Sequence, residues 1–161
     1  INLKSSESCQ KQQLMSDLST ELSVPEIPIQ NILFSIKSGA DVLFIDVRET
    51  EEFEESHIPG AINIKLRDLS TTTDDELAKW KAKSVVIPYC VKDFRGYEMA
   101  KKLTEKGFDN VALLNPYGIK GWIAEQLPLE KGHAQISVEE SKKMLECALN
   151  KSACINQKEV L

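Results

Sequence analysis

The sequence predicts an α/β fold in which helices flank a mainly parallel β-sheet. Short apolar runs bounded by charged residues alternate along the chain with segments whose apolar residues follow a helical period. Strands of a parallel sheet have this apolar composition because helices cover both of their faces. With 161 residues, the chain is long enough for one compact domain with extensions. We expect this domain over residues 26–131, an N-terminal helical extension over 1–25 and a C-terminal helical extension over 132–161.

The composition and the net charge exclude several classes of protein. The chain is 42% hydrophobic and 28% charged, which is ordinary for a globular protein and unlike a disordered or fibrous one. Its formal charge of -5 argues against general nucleic-acid binding, which depends on clustered lysine and arginine residues. No apolar run in the sequence approaches the roughly 20 residues that a membrane span needs.

Leucines in the N-terminal extension lie on one face of a predicted helix. Leu14, Leu18 and Leu22 recur every four residues, and this spacing brings them to the same side. Such a stripe docks on the parent domain or contacts a second copy of the chain in a homodimer, and the sequence leaves both open. Pro25 and Pro28 end the pattern and mark the entry into the domain.

The first half of the domain is predicted to begin with a helix and a strand. Apolar residues over 28–37 follow helical spacing, and Gly39 stands where helices commonly end. The run Val42–Val47 is short and apolar, as in a buried parallel strand. We then expect a helical turn over Glu49–Glu55, a turn over His57–Gly60, an extended segment over Ala61–Ile64 and a helix over Asp74–Lys81.

The second half of the domain continues the alternation. Ser84–Tyr89 is the next predicted strand, although Pro88 removes a hydrogen-bond donor and usually marks an edge or a bulge. A helix over Gly96–Lys106, a strand over Val111–Leu114 and a helix over Ile119–Glu125 follow. In the C-terminal extension, Ser137 and Glu140 form a capping-box pattern, which predicts a helix from there to the region of Asn150.

Cys90 is the strongest candidate for a reactive residue. It follows the strand Ser84–Tyr89 and precedes the loop that opens into the next helix. At such a junction, unpaired backbone N–H groups and the positive end of the helix dipole favour the nucleophilic thiolate. Lys92 and Arg95 add positive charge nearby. A buried cysteine that acts as a small apolar side chain is the alternative, and position in the sequence leaves both open.

Two segments of the chain resemble the signatures of the rhodanese family. The first segment is Asp46-Val47-Arg48-Glu49 with Glu52-Phe53, followed by His57-Ile58-Pro59-Gly60-Ala61-Ile62-Asn63-Ile64. The second contains Tyr89-Cys90 with Arg95, then Ala100, Leu103, Gly107-Phe108, Asn110-Val111, Leu114, Gly118, Trp122 and Leu127-Pro128-Leu129-Glu130. The motifs occur in the family's order between Ile27 and Glu130.

The resemblance implies a rhodanese-like three-layer fold with a five-stranded, mainly parallel sheet. It also implies a sulfurtransferase that moves sulfane sulfur from thiosulfate or polysulfide to a thiol or cyanide through a persulfide on Cys90. The loop amides would stabilise the anionic persulfide. The implied partners are a small sulfur anion and a thiol acceptor, which is a small molecule or a protein. No metal or organic cofactor and no nucleic acid is required.

The resemblance and the charge pattern assign roles around Cys90. The active-site loop comprises Val91, Lys92, Asp93, Phe94, Arg95 and Gly96. Within it, Arg95 closes the loop and helps to bind an anionic donor, while Lys92 tunes donor preference or is a solvated residue at the loop tip. Arg48 and Arg67 are candidates for substrate binding. The alternative for Arg48 is a pair with Glu52 across one helical turn, and the alternative for Arg67 is an exposed surface charge. Asp46, Glu52 and His57 are expected to support the structure.

Two other functions compete with sulfur transfer. Related phosphatases place five residues between the catalytic cysteine and an arginine, whereas Cys90 and Arg95 have four residues between them. The shorter loop makes a smaller cradle, which suits a sulfur atom better than a phosphoryl group. The other competitor is a non-catalytic module of the same fold that senses sulfide or docks a protein.

The remaining cysteines, Cys9, Cys147 and Cys154, lie in the extensions. The sequence has no CxxC pair or interleaved histidine, which argues against a zinc site. Cys147 and Cys154 would be about 10 Å apart in a continuous helix, too far for a disulfide, but a helix that ends near Asn150 would allow the pairing. Several pairings therefore stay open. Together with a chain that begins at Ile1 rather than Met, these cysteines lead us to expect an exported, periplasmic protein, with the cytoplasm as the alternative.

Overall fold

A computed structural model describes residues 24–92, 94–132 and 138–147. The predicted helix with Leu14, Leu18 and Leu22 lies outside the described residues, as do Cys9 and Cys154 and the side chain of Cys147. None of the helices within the described ranges has the length and apolar composition needed to cross a bilayer.

Helices and strands alternate along the chain as the sequence predicts. The elements in chain order are β1 (Glu26–Pro28), α1 (Ile29–Lys37), β2 (Val42–Asp46), α2 (Thr50–Glu55), β3 (Ile62–Asn63), a 3-10 helix (Leu66–Thr71), α3 (Asp74–Lys81), β4 (Val85–Tyr89), α4 (Phe94–Glu105), β5 (Leu113–Asn115), α5 (Gly118–Ala124) and α6 (Val138–Cys147). Three differences from the predictions stand out. Residues 26–28 form strand β1 and residues 66–71 form a 3-10 helix, neither of which was predicted. Helix α4 begins at Phe94 rather than Gly96.

The five strands are parallel wherever they pair. Strands β3, β2 and β4 form a three-stranded sheet in that order, and β1 pairs with β5. A parallel bridge between Val86 and Val111 connects the two sheets. The spatial order is therefore β1-β5-β4-β2-β3, and the predicted five-stranded parallel arrangement is confirmed.

Pro88 explains why β4 and β5 meet only at a bridge. The Val86 amide donates to the Asn110 carbonyl (2.8 Å), and the Val86 carbonyl accepts from Ala112 (3.0 Å). Since alternate residues of a strand point their N–H groups to the same side, Pro88 would have supplied the next donor toward β5. The other side of β4 is unaffected, because Tyr89 continues the ladder by accepting from Val47 (2.9 Å).

Apolar side chains cover both faces of the sheet and give three layers. On one face, Phe44 and Ile87 pack with residues of α1, α5 and α6. On the other face, Ile45 and Val86 pack with α3, α4 and the 3-10 helix. Neighbouring residues of one strand thus enter different clusters, as the alternation of a strand requires. Each fully buried aliphatic or aromatic side chain stabilises the fold by about 1.5–3 kcal/mol.

The C-terminal helix α6 belongs to this packed structure. It begins directly after the predicted capping position Ser137 and packs against α1. Leu145 is buried in the same cluster as Ile32 and Leu33 of α1. The helix predicted for the extension is therefore present, and it covers one face of the domain.

Candidate active site

Cys90 lies directly after β4, a strand with neighbours on both sides. Carboxyl ends of parallel strands are the usual place for sites in α/β folds. The residue is 3% exposed and packs among apolar residues that include Val47 and Met99. The predicted arrangement of strand, cysteine, loop and helix is therefore present, and the sulfur atom lies at the base of the loop.

The loop residues differ strongly in exposure. Phe94 is 77% exposed and Lys92 is also exposed, whereas Val91 is half-buried and Gly96 is buried. Asp93, which the sequence places in the active-site loop, lies outside the described residues. The exposed Phe94 is thus a surface residue and does not fill the space around Cys90.

Helix α5 holds the carbonyl groups at the start of this loop. The Ile119 amide donates to the Cys90 carbonyl (2.8 Å), and the Lys120 amide donates to the Val91 carbonyl (3.3 Å). In a trans peptide the N–H points opposite to the C=O, so the amides of Val91 and Lys92 point away from α5. Within the described ranges, these two amides donate to no backbone carbonyl. They are therefore available to an acceptor on the side of the loop that faces away from α5.

Gly118 is the residue that allows α5 to approach the loop so closely. Its φ is +66°, and an added Cβ would lie 2.2 Å from the Val91 carbonyl oxygen and 2.8 Å from that of Cys90. Only glycine combines this backbone conformation with the absence of a side chain. The family resemblance includes Gly118, but its contact with the loop backbone could not be read from the sequence.

Arg95 contacts both the cysteine and an acidic residue of α2. Its Nη1 lies 3.2 Å from Glu52 Oε1. The hydrogen bond that Arg95 donates to Glu52 raises the pKa of Arg95. Burial opposes this shift, and the neighbouring charge of Cys90 and a hydrogen bond to it raise the pKa further. Burial raises the pKa of Glu52, but hydrogen bonds from Arg95 and from the Glu49 amide outweigh it and leave the pKa lowered. Glu52 thus holds the guanidinium of Arg95 close to the sulfur atom.

Arg48, a candidate for substrate binding with a Glu52 pair as the alternative, is buried and pairs with Asp46. The chain reaches Arg48 before α2 begins at Thr50, so Arg48 and Glu52 do not share one helix face. Arg48 is 6% exposed, and its Nη2 lies 2.7 Å from Asp46 Oδ2 and donates to the Ser56 carbonyl. Burial lowers the pKa of Arg48, but the Asp46 hydrogen bonds and charge outweigh this and raise it. These contacts fix the loop after β2.

Tyr89 connects this buried pair to the residue before the cysteine. Its hydroxyl accepts a hydrogen bond from the Ile58 amide (3.0 Å) and is hydrogen-bonded to Asp46. Burial and the Asp46 charge raise the pKa of Tyr89 well above its usual range. No local pattern assigns a role to Tyr89 beyond its place next to Cys90, since its partners come from distant segments.

His57, which the sequence assigns to structural support, is buried and hydrogen-bonded through both ring nitrogens. Its ring stacks on Phe53 at 3.7 Å between centroids, and Nδ1 donates to the Phe53 carbonyl (2.8 Å). Its Nε2 lies 3.0 Å from Glu130 Oε2, and the two residues also exchange backbone hydrogen bonds. Glu130 is thus the partner that sequence analysis missed, and the pair joins the turn after α2 to the end of the domain.

An open cleft of about 620 Å³ adjoins the loop at Arg95. Its lining residues come from the loop after β2, the 3-10 helix and the exposed face of α4: Val47, Glu49, Lys65, Leu66, Arg67, Leu69, Ser70, Arg95, Lys102, Glu105 and Lys106. Arg67, predicted to attract an anionic donor, lies in this cleft, and its Nη1 is 2.8 Å from Glu49 Oε1. Within the described ranges, the cleft included, no group of three or more His, Cys, Asp or Glu side chains is arranged to bind a metal ion.

Comparisons with known proteins agree with this arrangement. A protein-family model described as a rhodanese-like domain matches residues 33–125, more than half of the chain. The chain is 36% identical over 95 residues to the uncharacterized protein YibN of Escherichia coli (strain K12), covering 57% of this chain and 63% of YibN. It is 28% identical over 97 residues to the thiosulfate:glutathione sulfurtransferase of Saccharomyces cerevisiae, covering 55% of this chain and 69% of that enzyme. Less than two thirds of the length of YibN is therefore matched.

The same fold occurs in a solved structure. The crystal structure of thiosulfate sulfurtransferase from Pseudomonas aeruginosa is similar with a TM-score of 0.60 at 21% identity, over 68% of this chain and 20% of that one. At this identity the similarity establishes a common fold and no more.

Proposed function

This chain belongs to the rhodanese family, and from that premise we propose that it is a sulfurtransferase whose Cys90 carries a sulfane sulfur. The family includes sulfurtransferases among the relatives of this chain. The donor in this proposal is thiosulfate or a polysulfide, and the acceptor is a thiol. Cyanide serves as an acceptor in the test tube.

The proposed reaction has two steps through one covalent intermediate. The Cys90 thiolate attacks the outer sulfur of thiosulfate, a bond forms between the two sulfur atoms, and sulfite leaves with the electron pair of the broken bond. The acceptor thiolate then attacks the outer sulfur of the persulfide. The bond to Cys90 breaks, its thiolate is regenerated, and the acceptor leaves as a persulfide.

The observation that carries this proposal is the orientation of the peptide groups after Cys90. Because α5 binds the carbonyls of Cys90 and Val91, the amides of Val91 and Lys92 face the opposite way and have no backbone acceptor in the described part of the chain. Preorganised N–H groups of this kind stabilise a developing anion without reorganisation. A persulfide is such an anion, and Arg95 adds a fixed positive charge beside it.

The burial of Cys90 supports a small donor. With 3% of its surface exposed, the residue offers a narrow approach to the sulfur atom. An added sulfur lengthens the side chain by one atom, and this outer sulfur is the atom that the acceptor attacks. The same burial disfavours reactions in which a bulky group must be bonded directly to the cysteine sulfur.

The experiment that tests the proposal is intact-mass spectrometry of the protein after incubation with thiosulfate or polysulfide. We expect the mass to rise by one sulfur atom on Cys90 and to return to its starting value when cyanide is added, with release of thiocyanate. Cys90→Ser should fold and gain no sulfur. Absence of the added sulfur in the wild-type protein with either donor would contradict the proposal. Sulfur that loads but is never released to cyanide or a thiol would identify a binding module instead.

A further inference from the structure

The cleft beside Arg95 has a charge opposite to that of the whole chain. Among its lining residues are five cations, Lys65, Arg67, Arg95, Lys102 and Lys106, and two carboxylates, Glu49 and Glu105. The difference, five minus two, is +3, whereas the whole chain carries -5. An anionic molecule is thus repelled by the protein as a whole and attracted to this cleft.

Three of these cations have no carboxylate partner among the described residues. Glu49 is engaged with Arg67 through two hydrogen bonds, and Glu52 is engaged with Arg95. Lys65, Lys102 and Lys106 form no ion pair within the part of the chain that the structure describes. Their charge is therefore available to a ligand in the cleft.

The cations extend much further than a small sulfur anion. Arg95 and Lys102 lie on one side of α4, two helical turns apart. Lys106 directly follows the helix, where its amide donates to the Lys102 carbonyl (3.1 Å), and it lines the same cleft. At about 1.5 Å per residue, the distance from Arg95 to Lys106 is about 16 Å. An extended polypeptide covers this distance with about five residues, at about 3.3 Å per residue. Thiosulfate would occupy only the end of the cleft beside Arg95.

An exposed apolar side chain also lies next to a lining residue of the cleft. Phe94 is 77% exposed and directly precedes Arg95. Exposed aromatic side chains next to charged residues are frequent in surfaces that bind proteins. Leu66 and Leu69 add apolar surface to the lining of the cleft.

From these observations we infer that the sulfur acceptor is a cysteine thiol carried by an acidic polypeptide segment that lies along this cleft. The inference rests on the proposed sulfurtransferase function and specifies its acceptor. The acceptor thiolate attacks the outer sulfur of the Cys90 persulfide, while glutamate or aspartate residues of the segment pair with Lys102 and Lys106. The acceptor leaves as a persulfide, and Cys90 returns to the thiolate.

Binding of labelled peptides tests the docking surface without any sulfur chemistry. A fluorescein-labelled peptide with one serine followed by four glutamates is compared with one in which glutamine replaces glutamate, by fluorescence anisotropy on the full chain. We expect the acidic peptide to bind about tenfold more tightly at low salt, because each exposed ion pair contributes modestly. The preference should disappear in 1 M salt, where charges are screened within about 3 Å.

Charge-reversal variants locate the binding. Lys102→Glu with Lys106→Glu should abolish the preference for the acidic peptide. In 1 M salt, where the attraction of the cleft for small anions is screened, this variant should load Cys90 from thiosulfate as fast as the wild type. The matched control is Lys37→Glu with Lys131→Glu, which changes the net charge equally at two exposed lysines outside the cleft. Lys65→Glu on its own provides a second test if the double variant does not fold.

Transfer rates from the loaded protein complete the test. A peptide with one cysteine followed by four glutamates should accept sulfur about tenfold faster than its glutamine counterpart. The inference is overturned if both peptides bind equally or if the control variant loses the preference as well. It is also overturned if glutathione accepts sulfur as fast as the acidic peptide and its rate depends on Lys102 and Lys106 in the same way. If thiosulfate does not load Cys90 but the acidic peptide binds as described, the proposed function fails and the docking surface stands.

Discussion

The contact between Gly118 and the active-site loop gives a quantitative prediction. Gly118→Ala places a Cβ 2.2 Å from the Val91 carbonyl oxygen at a φ of +66°. The left-handed conformation costs an alanine roughly 1–2 kcal/mol, and forcing a methyl group into packed structure costs typically about 1–3 kcal/mol. We therefore expect the free energy of unfolding to fall by about 2–5 kcal/mol.

Gly39→Ala is the matched control for this substitution. Gly39 also has a positive φ, +98°, but an added Cβ would meet nothing within 4 Å. The control thus includes the conformational cost alone, roughly 1–2 kcal/mol. The difference between the two variants measures the contact of Gly118 with the loop.

Both variants are assayed for unfolding in urea and for the rate of sulfur loading on Cys90. A loop displaced by about 1 Å loses up to about 100-fold in rate, so Gly118→Ala should load far more slowly than the wild type. Gly39→Ala should load at the wild-type rate. The reasoning is refuted if the two variants have equal stability and equal loading rates.

Three further predictions concern the residues around the loop. Glu52→Gln should slow loading by about two- to fivefold, since it weakens the restraint on Arg95. Because the pKa of Glu52 is lowered, the restraint is present above the ordinary glutamate pKa and is lost as the pH falls through the lowered value. The wild type should therefore show an acid limb in its pH–rate profile, and persistence of this limb in the variant would contradict the role of Glu52. His57→Ala removes a buried ring that stacks on Phe53 and hydrogen-bonds to Glu130, and it should destabilise the protein by about 3–5 kcal/mol in urea unfolding. An unchanged midpoint would show that these contacts are dispensable. Tyr89→Phe removes the hydroxyl that accepts from the buried Ile58 amide and is hydrogen-bonded to Asp46, and this should cost about 1–3 kcal/mol in urea unfolding. Because the pKa of Tyr89 is raised, the contribution of its hydroxyl to the free energy of unfolding is present below the ordinary tyrosine pKa and is lost as the pH rises through the raised value. The variant should therefore lack this loss of stability at alkaline pH.

The strands and helices were largely predictable because each depends on a local pattern. The apolar run that became β4 and the helical spacing that became α1 are visible in a few consecutive residues. Strand β1 was missed because Pro25 and Pro28 were interpreted as interruptions. An edge strand tolerates proline, since only one of its sides needs to form hydrogen bonds.

The site was predictable in its residue types and less so in its pairs. Cys90 and Arg95 are adjacent to one loop in the sequence, and the structure brings them together. The partner of His57 is 73 residues away, so no local pattern reveals it. The pairing of Glu52 with Arg95 depends on where α2 begins and on how it lies against α4. Such contacts follow from the packing of elements, which single-sequence patterns do not determine.

The central claim is that two amides turned away from α5 stabilise a sulfur anion on Cys90. The most direct measurement is the NMR spectrum of ¹⁵N-labelled protein before and after loading with thiosulfate. The account predicts that the amide proton resonances of Val91 and Lys92 move as these groups hydrogen-bond to the added sulfur, while that of Gly39 stays in place. Loading of sulfur on Cys90 with both loop resonances unchanged would contradict it.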